Sequence, residues 1–377
     1  MKNRIFIFGH YGEKNTGDDA MIYVLLQQLS IIYPNVFFSI ISPRKLFVPS
    51  EIENKIKIVE PTPFQVFREI KNSSIFVMGG GTQIYESGNK FERFKVLSEI
   101  LIIVIWARIF CRRIYYLNIG VEPLNTTFRK FLSEKILKLA DFITTRDNLS
   151  YNVLNEIKLE KIEKSFDLAI LLNKSIMKNH KNSDNTTLGI SILPFYEIYH
   201  GKEELDQLVV ENIAYTLNKW LENSSKNRVR LFVFKGKSRS DDFKITQLLK
   251  NKLVNPDNVE FVQYNPNPLK MLSKFNDCDM FIGMRYHSCL FAYATKTPLL
   301  IISYLQKCNA LAEEIGLPDN AVLTIEDVVN GKFGDYFKNI QTNKNLFLAK
   351  LPRSIAKKRT ERYFDSEYGE FNEDFSN

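Results

Sequence analysis

The sequence predicts an α/β fold made of two Rossmann-like, doubly wound parallel-sheet domains facing a cleft, as in B-type glycosyltransferases. Three observations predict it. Short apolar runs of strand length alternate with longer helix-like segments along most of the chain. The alternation stops at a polar stretch, 173–186, and restarts beyond it. Glycine-bearing turns follow several of the apolar runs, at the edge where a parallel sheet binds its ligands.

In the first half, residues 5–8, 36–41, 56–59, 75–78, 114–119 and 142–145 read as strands. A helix is expected from about Asp18, and others over 64–71, 91–112, 127–139 and 148–157. In the second half the strands are 188–193, 229–234, 259–261, 280–282 and 299–302, again with helices between. The domains are thus 1–172 and 187–340, joined by the linker 173–186. Residues 341–377 form a closing helix, over about 341–362 and packed back on the first domain, followed by a polar tail.

The 377 residues are 45% hydrophobic and 25% charged, the balance of a soluble globular protein. A net charge of +8 suits an anionic partner: a phosphorylated substrate, an anionic membrane surface or nucleic acid. Two basic tracts, 178–181 and 357–362, lack interleaved aromatics, which argues against nucleic acid. The four cysteines contain no Cys-x-x-Cys pair, so neither a zinc site nor a redox pair is expected, and a reducing cytoplasm fits them. The amino-terminal apolar run is too short for a signal peptide. The greasy run 100–110, interrupted by Arg108, falls short of the roughly 20 residues that span a bilayer. It reads as a buried helix, or as one that meets a membrane surface or a second subunit.

Four motifs carry chemistry. The first, 9–20, joins the first strand to the first helix and holds Gly9, His10, Gly12, Asn15, Gly17, Asp18 and Asp19. Glycines let the backbone approach a ligand, and the amide groups at a helix start favour anions. Read without function, it is a strand-to-helix turn capped by Asp18. It is no Walker loop, because the Gly-Lys-Ser/Thr ending is missing. The second is Gly79, Gly80 and Gly81 after the strand 75–78, clearing side chains from a crevice wall. The third is Arg146-Asp147, where Asp147 caps the next helix and leaves Arg146 at the strand end. The fourth is 283–288, with Arg285 and His287 two apart at the sheet's carboxyl edge. Arginine clamps an anion with two parallel bonds, and histidine exchanges protons near neutral pH. His180 and His200 fall in polar loops and read as incidental. Asp277-Cys278-Asp279 has the Asp-x-Asp form of metal-dependent glycosyltransferases, but it begins a buried strand and reads as structural.

Together and in this order, the motifs resemble the polysaccharide pyruvyl transferase family. The glycine-rich opening is matched by Gly12 and residues 15–20, and the triple glycine by residues 79–81. Arg-Asp-x-x-Ser is matched by Arg146, Asp147 and Ser150, and Asp-x-Ala by Asp167 and Ala169. Arg285 and His287 match Arg-Leu-His with Tyr286 for Leu, and Tyr304 and Lys307 match a later Tyr and Lys. The chain departs from the pattern at Asp19, at Glu86 where Asp is common, and at Asn118 and Glu122 where glycines are frequent. The resemblance covers roughly residues 5–317.

The resemblance implies an enzyme that moves a pyruvyl group from phosphoenolpyruvate onto a sugar of a surface polysaccharide or its lipid-linked precursor, forming a ketal and releasing phosphate. It implies no metal and no cofactor beyond that donor. Arg146, Arg285 and Lys307 would supply cations, with His10, Asn15, Gly79, Gly80, Gly81 and Glu86 among the binding residues. His287 would help phosphate depart. Asp18, Asp19, Glu86 or His10 would be the base, with Asp18 the first choice. The expected location is the cytoplasm, with peripheral contact at the inner membrane face. Rival readings are a nucleotide-sugar glycosyltransferase on the same fold and a non-catalytic glycan-binding assembly protein.

Overall fold

A computed structural model describes residues 3–85, 90–124, 126–157, 159, 161–172, 185–236 and 241–365, and for 90–94 the backbone alone. Most of the polar stretch 173–186, the basic tract 178–181 with His180, Glu86 and the tail beyond 365 lie outside the described residues. The chain divides into two compact units. The first takes its described residues from 1–13, 18–172 and 354–377, and the second from 14–17 and 173–353.

The first unit is built on β1 (Arg4–Phe8), α1 (Thr16–Ile32), β2 (Phe37–Ile41), β3 (Ile56–Val59), α2 (Pro63–Lys71), β4 (Ile75–Ile84) and α3 (Lys90–Phe110). It continues with β5 (Arg113–Val121), α4 (Thr127–Lys138), β6 (Phe142–Thr145), α5 (Asn148–Glu156) and β7 (Ile162–Lys164). The strands form one parallel sheet in the order β3-β2-β1-β4-β5-β6-β7. The side chains of the inner strands β1, β4, β5 and β6 are buried nearly continuously, because a parallel sheet covered on both faces has no wet side.

The second unit holds β8 (Thr186–Ser191), α6 (Phe195–His200), α7 (Glu203–Glu222), β9 (Asn227–Phe232), α8 (Phe243–Lys252) and β10 (Val259–Val262). Then come α9 (Pro268–Ser273), β11 (Met280–Gly283), α10 (Tyr286–Ala294), β12 (Leu299–Ser303), α11 (Gln306–Ile315), β13 (Val322–Thr324), α12 (Ile325–Val329) and α13 (Phe333–Thr342). Its parallel sheet runs β10-β9-β8-β11-β12-β13. In both sheets the strand order reverses beside the first strand, between β1 and β4 and between β8 and β11. Ligands of open α/β sheets bind at such switch points, outside the carboxyl ends of the strands.

The two-domain expectation holds, with local corrections. The glycines 79–81 are not a loop after a strand but the middle of β4, paired to β5 from Ile75 to Ile84. The three-residue edge strands β7 and β13 carry too little pattern to read from sequence. His200 ends a helix, not a polar loop, and stacks edge-on against Phe195. The closing helix α14 (Arg353–Glu361) is shorter than the sequence pattern predicts, and 344–347 form a separate short turn. α14 docks on the end of β7: Thr360 donates to Phe166 O at 3.2 Å, and Tyr363 to Lys164 O at 2.8 Å.

Asn118 explains one departure from the family pattern. It sits at φ 53° within β5, a conformation easy for glycine and tolerated by asparagine. Its side chain turns this to use, donating to Phe166 O at 2.6 Å and Ser165 Oγ at 2.7 Å.

Glu69 of α2 ties the sheet's far edge together. Its buried carboxylate accepts from Arg4 at 2.7 Å, Lys57 at 2.5 Å and Ser39 at 3.1 Å. Burial alone would raise its pKa, but the bonds from Lys57 and Ser39 and the charges of Lys57 and Arg4 outweigh that and hold it below its ordinary value. A carboxylate with a depressed folded pKa stabilises fully above its unfolded pKa, near 4.5, and loses that contribution as pH falls through the folded value. Glu69→Gln is therefore expected to cost about 3 kcal/mol at neutral pH. Urea titrations should show the gap from wild type closing below about pH 4, and a constant gap would contradict this account.

Candidate functional site

The first two motifs lie at the switch point of the first sheet and the fourth at that of the second, while the third follows β6, two strands from β4. In the first unit, the turn after β1 lies beside the glycines of β4. Tyr11 donates to Gly79 O at 2.7 Å. A side chain at Gly79 would strike Leu25 and Tyr11, and one at Gly80 would strike Met21. Gly81 has φ 80°, and its missing side chain leaves the Asp18 carboxylate 3.6 Å from where a Cβ would stand. Burial, with the charge of Asp18 behind it, pushes the Tyr11 phenol above its ordinary value, so it stays a neutral donor. His10 is exposed, its ring 6.4 Å from that of Tyr85.

Helix α1 starts two residues earlier than predicted, at Thr16. Asn15 Oδ1 accepts from the Gly17 amide at its start, at 3.1 Å. Asp18 and Asp19 stand in the first turn, where they complement the helix dipole.

Asp147 caps α5 as the sequence implies, accepting from Ser150 N at 2.8 Å and Ser150 Oγ at 2.6 Å. Arg146 is not left at an open strand end. It is only 4% exposed, donates to Asp147 at 2.7 Å, and lies against Gly120, whose Cβ would come within 2.8 Å of the guanidinium carbon.

In the second unit, residues 283–288 turn β11 into α10. Gly283 is required because a Cβ there would meet Cys289 Sγ at 2.6 Å and Ser288 Oγ at 2.9 Å. Arg285 occupies the N-cap position in extended backbone without a side-chain cap bond, and His287 falls inside the first turn of α10. The Arg285 guanidinium is held by Asp242, with Nε 3.0 Å and 3.1 Å from the two carboxylate oxygens and Nη2 2.5 Å from one of them. Burial pushes the Asp242 carboxyl up, while Arg285 and the Lys235 amide pull it back. Asp242 also accepts from Lys235 N at 2.9 Å and donates its own amide to Lys235 O at 3.0 Å. Lys235 in turn pairs with Asn15 across an antiparallel bridge, and Thr16 N donates to Phe234 O at 3.0 Å.

Residues 14–17 count with the second unit, and Gly17 lies against the His287 ring. A Cβ at Gly17 would fall 2.0 Å from Nδ1. Gly17 and His287, from opposite ends of the matched region, thus touch within the second unit. Tyr304 follows β12 and lies within the electrostatic reach of Arg285. Burial raises its phenol well above the ordinary value. Its ring stands 5.6 Å from Phe195 and 6.3 Å from Tyr199. Lys307, half-buried in the first turn of α11, occupies the next strand-to-helix elbow. Asp277 and Asp279 serve structure, Asp279 accepting from Thr187 N at 2.6 Å and Asp277 facing Arg230 at 3.7 Å.

No sequence signal marks Asp242, which follows Asp241 in a polar loop before α8. Nor does any single out Tyr11, Phe195 or Tyr199. Asp242 and the Arg-x-His elbow are brought together by β9 and β11 ending on either side of β8.

A model of polysaccharide pyruvyl transferases matches residues 15–306. The chain belongs to the polysaccharide pyruvyl transferase family. The matched span begins at Asn15 and ends one residue before Lys307. Solved structures share the family member's fold at low identity. A putative UDP-N-acetylglucosamine 2-epimerase from Listeria monocytogenes matches at 10% identity and TM-score 0.62, over 99% of this chain and 98% of that one. The UDP-GlcNAc 2-epimerase from Neisseria meningitidis, bound to UDP-GlcNAc, matches at 8% and 0.59, over 97% and 98%. A glycosyltransferase from Rickettsia africae matches at 12% and 0.54, over 99% of each. These likenesses speak for the fold alone.

Proposed function

We propose that this pyruvyl transferase takes its pyruvyl group from phosphoenolpyruvate and places it on two hydroxyls of one sugar in a surface polysaccharide or its lipid-linked precursor. The observation that carries the reading is the Arg285–His287 elbow, with its guanidinium fixed by Asp242 and its imidazole lying against Gly17. A fixed fork suits a small planar carboxylate or a phosphate. A proton-exchanging ring beside it suits a departing phosphate.

In the proposed reaction the donor methylene gains a proton and one sugar hydroxyl bonds to C2, its own proton leaving to the base and balancing the one the methylene takes up. Phosphate leaves, and a second hydroxyl closes the ring, its proton passing to a base. The product is a pyruvate ketal plus inorganic phosphate. Arg285 holds the donor's charge, with Lys307 and the amides of 15–17 as further anion contacts. His287 hands its proton to the leaving phosphate. Asp18 is the proposed base, and the glycines 79–81 leave room beside it for a sugar. His10, exposed on the same turn, is assigned to acceptor binding. Arg146 keeps a binding role, but its burial against Gly120 and Asp147 means that Arg146→Ala will also destabilise the first unit.

Arg285→Lys keeps the charge but loses the fork and its hold on Asp242. Donor affinity by calorimetry is expected to fall about 10–150-fold. Thermal shift should respond to phosphoenolpyruvate. A response to UDP-GlcNAc in its place would favour a nucleotide-sugar transferase and overturn this proposal, as would unchanged donor affinity in Arg285→Lys.

A further inference from the structure

Helices α2, α3 and α4 form one layer over the first sheet, where they bury their inner stripes against it. On α3 that stripe is Leu97, Ile100, Val104 and Ala107. The opposite side of the same helix is apolar too. Ile102, Ile105 and Ile109 are 47%, 41% and 65% exposed, and at about 100° per residue they fall within an arc of about 60°. A helix apolar on both sides normally has both sides covered. The neighbours extend the patch: Phe128 and Phe131 on α4 are 53% and 52% exposed, and Phe64 on α2 is 72% exposed. Phe67 of α2 packs edge-on against Trp106 and Phe110 of α3, so the helices share one surface.

Cations rim this surface. Arg68 and Lys71 end α2, Arg112 follows α3, and Lys135 and Lys138 end α4, all exposed. Lys135 lies over the Phe131 ring at 5.2 Å, its stem on the apolar side and its charge outward. Among the described residues no helix is long and apolar enough to cross a membrane.

We infer that the outer face of α2–α4 docks on an anionic lipid bilayer, with the isoleucines and phenylalanines entering the headgroup boundary and the basic rim meeting lipid phosphates. Charge decides between lipid and a second copy of the chain. In a two-fold contact the same patch meets itself, which would set this basic rim against its own image. An anionic surface complements it. The inference is independent of the donor assignment, since it concerns where the enzyme works and not what it transfers.

The test is co-sedimentation of the full chain with phosphatidylcholine vesicles, with and without phosphatidylglycerol, at low salt. Binding is expected only with the anionic lipid. It should fall at least tenfold in Ile105→Glu/Ile109→Glu and in Lys135→Glu/Lys138→Glu, with thermal unfolding unchanged because these side chains are exposed. Absence of wild-type binding, or undiminished binding in both variants, overturns the inference. So does a dimer in sedimentation velocity that the isoleucine variant dissolves. Donor affinity measured without vesicles separates failure here from failure of the proposed chemistry.

Discussion

His287→Gln is expected to lower phosphate release about 10²–10⁴-fold while changing phosphoenolpyruvate affinity far less. Glutamine keeps a hydrogen-bonding amide near the imidazole's place but cannot take up or release a proton near neutral pH. The ring's position does not come from α10 alone. Gly17 lies against it so closely that any side chain there must displace it. Gly17→Ala therefore tests the same group from the other side: turnover should fall with donor affinity largely kept. Steady-state phosphate release and calorimetry separate the two quantities. Near-wild-type turnover in His287→Gln would remove this residue from the chemistry.

Asp242→Ala is expected to cost about 3–5 kcal/mol of stability, because it strands the mostly buried Arg285 guanidinium and the Lys235 amide. Asp242 is fully buried, so no water takes over its role without rearrangement. The companion double variant is Asp242→Leu with Arg285→Met. Replacing both partners by apolar groups of similar volume should recover much of the stability, since neither charge is then left buried. Donor binding should stay lost in the double variant, which separates holding the fold from holding the ligand. Urea unfolding measures the first and calorimetry the second. A cost in Asp242→Ala below about 1 kcal/mol, at the level of an ordinary substitution, would contradict the pairing.

Much of the fold was legible because parallel strands leave a signal that needs no partner. Residues 56–59 and 142–145 are read to the residue, since each is a short apolar run between polar ends. The sequence shortens β4 because glycine normally weakens a strand. Here β5 continues the pairing past Gly79 and Gly81, so tertiary partners overrode local propensity. The three-residue edge strands were missed for want of length. The sequence places the start of α1 too late because Asp18 is a better cap by type than Thr16, while Asn15 supports the actual start.

The α/β class, the two sheets, the four motifs and the family they resemble are legible before any folding, because each is carried by residues close together in the chain. Glycines mark tight approaches, and alternating apolar runs mark buried strands wherever they occur. Which motif residues meet depends on pairings between distant segments. Arg146, read as an open strand end, is closed over by Gly120 and Asp147. Arg285 is bound to an aspartate that no motif contains, and Gly17 and His287 touch although nearly the whole matched span lies between them. For Arg285 and Asp242 the reason is topological, since a parallel sheet that reverses its strand order brings distant turns to one edge. The partners there are chosen by the geometry of the sheet and not by distance along the chain. Gly17 reaches His287 because residues 14–17 pair with the turn after β9.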